Sequence, residues 1–409
     1  MVPVLTAGTG QPWEAALVGS SGDARVGVEV VARCLDVVDL LATAQTGRVR
    51  VAVVAAGLRH LDRDAVARLH TLGVAVVVVA TGDGSPARLR EIGTDAVLEG
   101  AVAPEEIGQA VQQALSPTPH VPALTEPGGR IVAVWGPAGA PGRSTVALAL
   151  ADEAAAAGVA TVLLDADPYG GSIATQLGLL DEAPGLLAAA RGAAAGALDR
   201  ASLLAAAQTV STSRLTVITG LPRAERWPEV RDAAFAAVLE AARRVAALVV
   251  VDVGFCLEAD EDIAYDLPAP RRNGTTLTAV AAADVVVSIA TADPLGLQRY
   301  LRALPDLRTL LRPGAELLVV VNKLRDGAVG GRDARRQVEE ALARHGGVAA
   351  SAMLPLDGDA CDRALGAGRT LREATPATPL RIALRELAVT IAGRPTPTRR
   401  ARVRGRRAR

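Results

Sequence analysis

Short apolar runs alternate with amphipathic segments along the first part of the chain. The runs have the length of buried strands, and the segments between them repeat apolar residues at helical spacing. Five strands are predicted in this way, at residues 15–19, 28–35, 49–57, 74–81 and 95–100. Helices are predicted between them and at 103–115, where Pro104 suits a first helical turn. The alternation predicts a small parallel α/β domain over residues 1–115.

A stretch without periodicity separates this unit from a second one. Residues 116–129 contain four prolines, which predicts a linker. A second α/β pattern then runs over residues 130–393. The last segment, 394–409, is rich in Pro and Arg and has no long apolar run, so we expect a disordered tail.

Charge is distributed unevenly along a chain whose formal net charge is zero. The tail holds eight arginines and no acid, which leaves a net charge of −8 on the other residues. We expect the tail to contact an anionic membrane, DNA or an acidic protein, and the alternative is a solvated tail that binds nothing. The three cysteines are too far apart to suggest a disulfide or a zinc site. No apolar run is long enough to cross a bilayer and no signal-peptide pattern opens the chain, so we expect a cytoplasmic protein.

A glycine-rich turn lies between the first strand and the first helix of the second unit. It reads GPAGAPGRST, residues 136–145, and it has the context of a loop that binds phosphate through backbone N–H groups and a helix N-terminus. The usual lysine is absent, because Arg143 occupies its position, and Pro137 stands where the first glycine is expected. The alternative is an ordinary strand–helix turn. The residues predicted to bind phosphate are Gly139, Gly142, Arg143, Ser144 and Thr145.

Three aspartates follow apolar runs in the same unit. Asp165 and Asp167 end the run at 159–167, and Asp252 ends the run at 247–252. Polar groups at strand ends of a parallel sheet gather at one edge, where an acid can hold a Mg²⁺-bound water and Ser144 can ligate the ion directly. The alternative is that these acids are solvated strand ends.

The loop, the acids and the segments after them resemble the MinD/ParA family of deviant-Walker ATPases. LLDADPYGGSIATQLGL closely matches the segment that follows the second strand in that family, and LLVVVNKL matches a later strand. The resemblance covers residues 130–393. With the smaller unit in front, the chain is most similar to the CpaE/TadZ branch, which localises Flp/Tad pilus machinery. An actinobacterial group of that branch is associated with septum-site determination.

The resemblance implies roles for individual residues. Asp167 would position the attacking water, and Asp165, Asp252 and Ser144 would serve the Mg²⁺ ion. Asn322 and Pro355 would contact or border the adenine, although Asn322 has the alternative of capping a turn. The resemblance also implies ATP and Mg²⁺ as ligands, a homodimer, pilus, secretion or division proteins as partners, and recruitment to the pole, the septum or the inner face of the membrane.

The loop departs from the family at both of its lysines. The signature lysine, which reaches the nucleotide of the partner subunit, is replaced by Ala138, and the second lysine by Arg143. We therefore expect nucleotide binding with slow or absent hydrolysis. The leading hypothesis is a localisation or scaffold protein with ATP as a conformational ligand. The alternatives are an active ATPase that switches between monomer and dimer, and an interaction platform that does not need ATP.

The smaller unit resembles the receiver domain of response regulators in its pattern. A receiver needs an acid pair after its first strand, a phosphorylatable Asp at the end of its third, and a Lys after its fifth. The predicted first strand is followed by SSGD, the third ends in Ala55 and Ala56, and LEG stands at the end of the fifth. We therefore predict a pseudo-receiver that cannot be phosphorylated, with a generic flavodoxin-like domain as the alternative.

Overall fold

The structure is a computed structural model that describes residues 1–82, 84–116, 128–179, 184–259, 270–327 and 333–393. Most of the predicted linker and the whole Arg-rich segment 394–409 lie outside the described residues, so the predictions for them stay predictions. Among the described helices, none is both long and apolar enough to cross a bilayer.

The first sheet has five parallel strands in the order β2-β1-β3-β4-β5, which is the flavodoxin-like order of doubly wound sheets. Helices connect successive strands, as parallel pairing requires. The elements are β1 (Val2–Ala7), α1 (Pro12–Gly19), β2 (Val28–Arg33), α2 (Val37–Ala44), β3 (Val51–Ala55), α3 (Arg63–Thr71), β4 (Ala75–Ala80), α4 (Pro86–Glu91), β5 (Ala96–Glu99) and α5 (Pro104–Leu115).

The first predicted strand is wrong. Residues 15–19 belong to helix α1, and the true first strand, β1, precedes them. Pro12 occupies the first turn of α1, and Trp13 and Leu17 bury its apolar side. Short apolar runs do not distinguish a strand from a buried helix, and this run was ambiguous for that reason.

Because β1 is the first strand, the acid pair that a receiver needs would have to follow Ala7. The residues after β1 are GTGQPW, and the first acid is Glu14, inside α1. Glu14 is buried, accepts a hydrogen bond from the Gly8 N–H at 3.0 Å and pairs with Arg33 at 3.1 Å. No acid pair therefore follows the true first strand either. Strand β3 ends at Ala55, two residues before the end of the strand predicted at 49–57, and Ala55 and Ala56 again stand where a receiver needs its Asp.

The second sheet has eight strands in the order β13-β12-β11-β6-β10-β7-β9-β8, all parallel except the β8–β9 pair. A short 3₁₀ helix lies at Ala224–Glu229. The other elements are β6 (Arg130–Trp135), α6 (Arg143–Ala156), β7 (Thr161–Ala166), α7 (Ile173–Gln176), α8 (Gly185–Ala194), α9 (Arg200–Ala205), β8 (Gln208–Val210), β9 (Leu215–Ile218), α10 (Asp232–Val245), β10 (Leu248–Val253), α11 (Gly274–Ala282), β11 (Val285–Thr291), α12 (Pro294–Leu310), β12 (Glu316–Leu324), α13 (Ala334–Gly346), β13 (Ala352–Pro355), α14 (Gly358–Gly366), α15 (Leu371–Ala374) and α16 (Pro379–Ala392).

Alternate residues of each central strand face two separate cores. In β6, Ile131 and Trp135 pack with α10 and α12 on one side, whereas Val132 and Val134 pack with α6 and α16 on the other. Both faces are covered, which explains why the strands are continuous apolar runs. Strand β6 therefore lies in the middle of the sheet, and α6, which follows the glycine-rich loop, packs against one face of it.

Helices of the two sheets contact each other. The Arg63 guanidinium on α3 donates to the carbonyl of Ala193 at 3.2 Å, and Arg88 on α4 donates to the carbonyl of Ala195 at 2.7 Å. Both acceptors lie at the C-terminal end of α8, where unsatisfied carbonyls attract cations. The contact joins the units, and the domain limits predicted above stay predictions.

Candidate functional site

The glycine-rich loop lies at the carboxyl edge of the second sheet. It connects β6 to α6, and β6 is flanked by β10 and β11. Asp252 on β10 is aligned directly with Asp165 on β7. The sheet therefore brings the loop and the predicted acids to one place, as the order of strands and helices had suggested.

Two glycines give the loop its shape. Gly139 has a φ of 109° and Gly142, which precedes α6, has a φ of 96°, a region that other residues rarely adopt. A Cβ atom on Gly142 would lie 2.4 Å from the amide nitrogen of Asn322. The loop therefore passes against β12 at a distance that only glycine allows.

Side chains from outside the loop hold its carbonyl groups. The Asn322 amide donates to the Pro141 carbonyl at 2.8 Å, and the Lys323 ammonium donates to the Ala140 carbonyl at 2.7 Å. Lys323 has a φ of 59°, a strained value for a residue with a side chain. With its carbonyls held in this way, the loop leads into the free N–H groups of the first turn of α6, which favour an anion.

Arg143 is fully engaged within the protein. Its guanidinium donates to the carbonyl of Val253 at 3.1 Å, to the carbonyl of Gly136 at 3.2 Å and to the carboxylate of Asp167 at 3.2 Å. The side chain is 13% exposed and that of Asp167 is 9% exposed. The structure thus joins the predicted phosphate cation to the predicted water-positioning acid in a mostly buried ion pair.

Asp165 and Asp252 lie beneath the loop, each with 1% of its surface exposed. Neither oxygen of Asp252 has a hydrogen-bond partner among the described residues. Burial, and then the charge of Asp165, raise the pKa of Asp252 well above its ordinary value, although the nearby Ser144 hydroxyl lowers it in part. Burying a carboxyl group without a hydrogen-bond partner lowers the stability of the folded state, and a bound ligand would supply the missing interactions.

Asp165 is held more firmly than Asp252. One of its oxygens accepts the Ile173 N–H at 3.0 Å, and the backbone at Gly220 is so close that a Cβ there would lie 2.6 Å from the carboxyl carbon. Burial raises the pKa of Asp165 to about 6. These contacts give Asp165 a part in fixing the turn after β7, which the sequence did not show.

The residues present suit a Mg²⁺ ion that is bound together with phosphate. In the ranges that the structure describes, no group of three or more His, Cys, Asp or Glu side chains forms a metal site. Mg²⁺ usually takes one or two carboxylates, waters and phosphate oxygens instead of a complete protein cage. Asp252, whose two oxygens have no partner at hydrogen-bond distance in the described part of the chain, and Ser144 beside it provide that incomplete set.

A cavity of about 560 Å³ opens above the loop, within the size range of small-ligand sites. Of the predicted residues, it is lined by Gly142, Arg143, Ser144, Thr145, Asp167, Asn322 and Pro355. Asp165, Asp252 and Gly139 are not among the residues that line it. Lys323 lines the cavity and was missed, although a single lysine directly after Asn322 in an Arg-rich chain was a usable signal.

Asn322 serves the loop directly. Its amide nitrogen binds Pro141, and its carbonyl oxygen accepts the backbone N–H of Lys323 at 2.8 Å. The side chain therefore braces the loop from β12. The predicted contact with adenine remains a prediction.

Solved structures with the same fold come from the MinD and ParA ATPases. The cell division ATPase MinD of Pyrococcus furiosus covers 64% of this chain and 98% of its own, with 16% identity and a TM-score of 0.50. The septum site-determining protein MinD of Pyrococcus horikoshii, complexed with Mg-ADP, covers 64% and 96%, with 14% identity and a TM-score of 0.51. A ParA family ATPase of Chlorobium tepidum covers 64% and 98%, with 16% identity and a TM-score of 0.52.

These comparisons confirm the MinD/ParA resemblance at the level of the fold. No protein-family model matches the chain, and no curated protein matches it. The larger unit is thus a parallel α/β domain with the MinD/ParA P-loop architecture.

Proposed function

We propose that this protein is a MinD/ParA-type positioning protein that binds ATP and Mg²⁺ as conformational ligands and hydrolyses ATP slowly or not at all. The observation that carries the proposal is Asp252, a buried carboxyl group that lies near Ser144 of a phosphate-type loop and has no partner at hydrogen-bond distance among the described residues. The P. horikoshii neighbour is complexed with Mg-ADP, which supports a nucleotide and Mg²⁺ as ligands.

The proposed binding roles follow from the positions of the side chains. The first turn of α6, with Ser144 and Thr145, meets the phosphates, and Ser144 and Asp252 hold the metal ion. The Mg²⁺ ion would neutralise phosphate charge. Asp165 supports this set by fixing the turn after β7. Asn322 and Pro355 form the side of the cavity where the adenine is expected.

We expect slow hydrolysis because of one feature of the loop and one feature of the turn after β7. Ala138 provides no cation to stabilise charge in the transition state. Asp167, the expected water-positioning residue, is paired with Arg143 and accepts the Tyr169 N–H at 2.9 Å. Both of its oxygens are therefore occupied, and positioning a water would require one of these bonds to break.

Calorimetric titration tests the nucleotide site. The full chain is titrated with ATP and with a non-hydrolysable analogue, each with Mg²⁺, and thermal unfolding is followed in parallel. We expect heat and a raised melting temperature with both. Absence of both effects at millimolar nucleotide would reject the site and favour the ATP-independent platform.

Phosphate release separates the slow enzyme from the active switch. We expect release near background. A rate of about 1 per second or faster that disappears in Asp167→Ala would instead establish the active ATPase, which cycles between monomer and dimer.

The cellular role we propose is that of the CpaE/TadZ branch: a homodimer that positions Flp/Tad pilus or secretion machinery, or the division septum. Two neighbours are described as a cell division ATPase and a septum site-determining protein, which supports positioning in general. A fluorescent fusion tests the role. Foci at the pole favour pilus machinery, foci at midcell favour the septum, and diffuse signal in all cells contradicts the proposal.

The smaller unit is proposed to be a pseudo-receiver over residues 1–115 that serves docking or dimerisation. Ala55 at the end of β3 supports this, since no Asp stands there to accept phosphate. Incubation with acetyl phosphate and intact mass measurement should give no added phosphate on this unit. A stoichiometric gain there would overturn the assignment.

The tail, 394–409, is proposed to contact anionic membrane or DNA. The test compares the full chain with a chain ending at Gly393 in flotation with anionic vesicles and in DNA shift assays across salt. Equal behaviour in both assays contradicts the proposal.

A further inference from the structure

We propose that Arg299, on helix α12, supplies the cation that the phosphate loop lacks at Ala138, and that it binds the terminal phosphate of a nucleoside triphosphate. The inference rests on the proposed nucleotide site. It assigns to a residue far along the chain a positive charge with donors left for phosphate, because the loop's own cation, Arg143, is bonded within the protein.

The guanidinium of Arg299 lies against the loop. Its Nη1 atom is 3.5 Å from the carbonyl oxygen of Ala138. A Cβ atom on Gly139 would lie 2.3 Å from the same nitrogen, so the glycine makes room for the guanidinium. Arg299 therefore meets the loop at the two residues that follow Pro137.

Most N–H donors of the Arg299 guanidinium have no acceptor among the described residues, in contrast to those of Arg143. Arg143 is bonded through all three of its side-chain nitrogens and is mostly buried. Arg299 is exposed, and within the described ranges its hydrogen bond to Ala138 is the one it makes, with no ion pair. A guanidinium has five N–H donors in a fork that fits a phosphate, so most of them remain free for a ligand.

Helix α12 fixes the position of Arg299. The helix begins at Pro294, and Asp293 caps it by accepting the Gly296 N–H at 2.9 Å. Tyr300, the next residue after Arg299, is fully buried and shares a 2.8 Å hydrogen bond with Ser288 on β11. These anchors direct the neighbouring Arg299 into a groove that is also lined by Ala138 and Arg302.

The two ends of the loop would then treat phosphates differently. The first turn of α6 offers N–H groups close to Ser144, whereas Arg299 lies at the opposite end of the loop, beside Ala138. A diphosphate held at α6 does not need the second end. We therefore expect Arg299 to discriminate triphosphate from diphosphate.

The experiment measures dissociation constants of the full chain for a non-hydrolysable ATP analogue and for ADP, both with Mg²⁺. The variants are Arg299→Ala, Arg299→Gln and Arg299→Lys, with Arg302→Ala as the matched control from the same groove. We expect the Ala and Gln variants to bind the analogue about tenfold more weakly, the loss of one charge-assisted contact. Lys should recover part of the loss, ADP affinity should stay within about twofold, and Arg302→Ala should match the wild type.

Other outcomes overturn the inference in distinguishable ways. Wild-type affinity in Arg299→Gln would make Arg299 a neutral brace for the Ala138 carbonyl. Equal losses for both nucleotides would indicate a collapsed loop, and an equal loss in Arg302→Ala would indicate a general effect of surface charge. A wild type that binds neither nucleotide refutes the proposed site itself, whereas tight binding that Arg299→Ala leaves unchanged refutes only the role of Arg299.

Discussion

Replacing Asp252 by Asn separates two effects of this carboxyl group: the stability that it takes from the unliganded protein and its contribution to ligand binding. In the unliganded protein, the carboxyl group of Asp252 is buried with no partner among the described residues and lies beside Asp165. Asn has nearly the same shape and cannot ionise. The substitution should therefore stabilise the unliganded protein while it removes a ligand of the metal ion.

The magnitude follows from the burial of the group. An unsatisfied buried polar group costs about 1–3 kcal/mol and a charged one costs more; because the amide of Asn is just as unpaired, only the cost of the charge separates the two proteins. The folded-state pKa of Asp252 is raised well above the ordinary value for Asp, so the folded state loses stability as pH rises from about 4 through the folded pKa. We expect Asp252→Asn to be more stable than the wild type by about 1–3 kcal/mol at pH 8 and equal to it near pH 4.

Nucleotide shifts the balance toward the wild type by about 2.3 kcal/mol, which reverses any smaller advantage of the variant. A ligand at a hundred times its dissociation constant stabilises the folded state by about 2.7 kcal/mol. If the variant binds about a hundredfold more weakly, the same concentration stabilises it by only about 0.4 kcal/mol. Urea unfolding with and without Mg²⁺ and the non-hydrolysable ATP analogue, at pH values between 4 and 8, measures both effects.

The matched control is Asp326→Asn, an exposed acid just after β12 at the same edge of the sheet. It should change neither the pH dependence nor the stabilisation by nucleotide. If Asp252→Asn is less stable than the wild type without ligand at pH 8, the ionised carboxyl group of Asp252 does not destabilise the unliganded protein. If nucleotide stabilises the variant as much as the wild type, Asp252 does not serve the ligand.

Three further substitutions test other parts of the structure. Arg381→Ala should destabilise the fold by about 3–5 kcal/mol in urea unfolding, because Glu153 on α6 is 6% exposed and would lose its bidentate partner; Arg381→Lys should retain part of that stability. Burial raises the pKa of Asp64 on α3 to about 6, so Asp64→Asn should be more stable than the wild type above pH 6, with the difference absent below pH 4. Tyr169→Phe should cost about 0.5–1.5 kcal/mol through its 2.9 Å hydrogen bond to Asn273, and no change would contradict that bond.

The order of strands and helices was predictable because buried parallel strands are distinctive in sequence. Strand β7 could be predicted from the length of its apolar run, and the site at its end from the position of the aspartates directly after that run. The first strand was not predictable in the same way. Residues 15–19 and β1 are both short and apolar, and only the pairing of β1 between β2 and β3 decides between them.

The site was predictable as a set of residues but not as a set of contacts. Spacing for Ser144 and Asp167, and the family resemblance for Asn322, predicted one site, and all three residues line one cavity. Spacing cannot show which donor meets which acceptor, so the pairing of Arg143 with Asp167 and the approach of Arg299 to the loop came from the structure alone. Both depend on how α6 and α12 pack against the sheet, far from either residue in sequence.

Arg143 shows what composition leaves open when contacts are unknown. With 43 arginines and one lysine, the composition explains why arginine can replace lysine here but not what the arginine does. The guanidinium instead reaches the carbonyls of Val253 and Gly136 and the carboxylate of Asp167 from separate nitrogens. A lysine has a single ammonium group and cannot span three acceptors in that geometry. Arginine at this position is therefore part of how this loop is built, and reverting it to lysine would leave at least one of these buried acceptors without its donor.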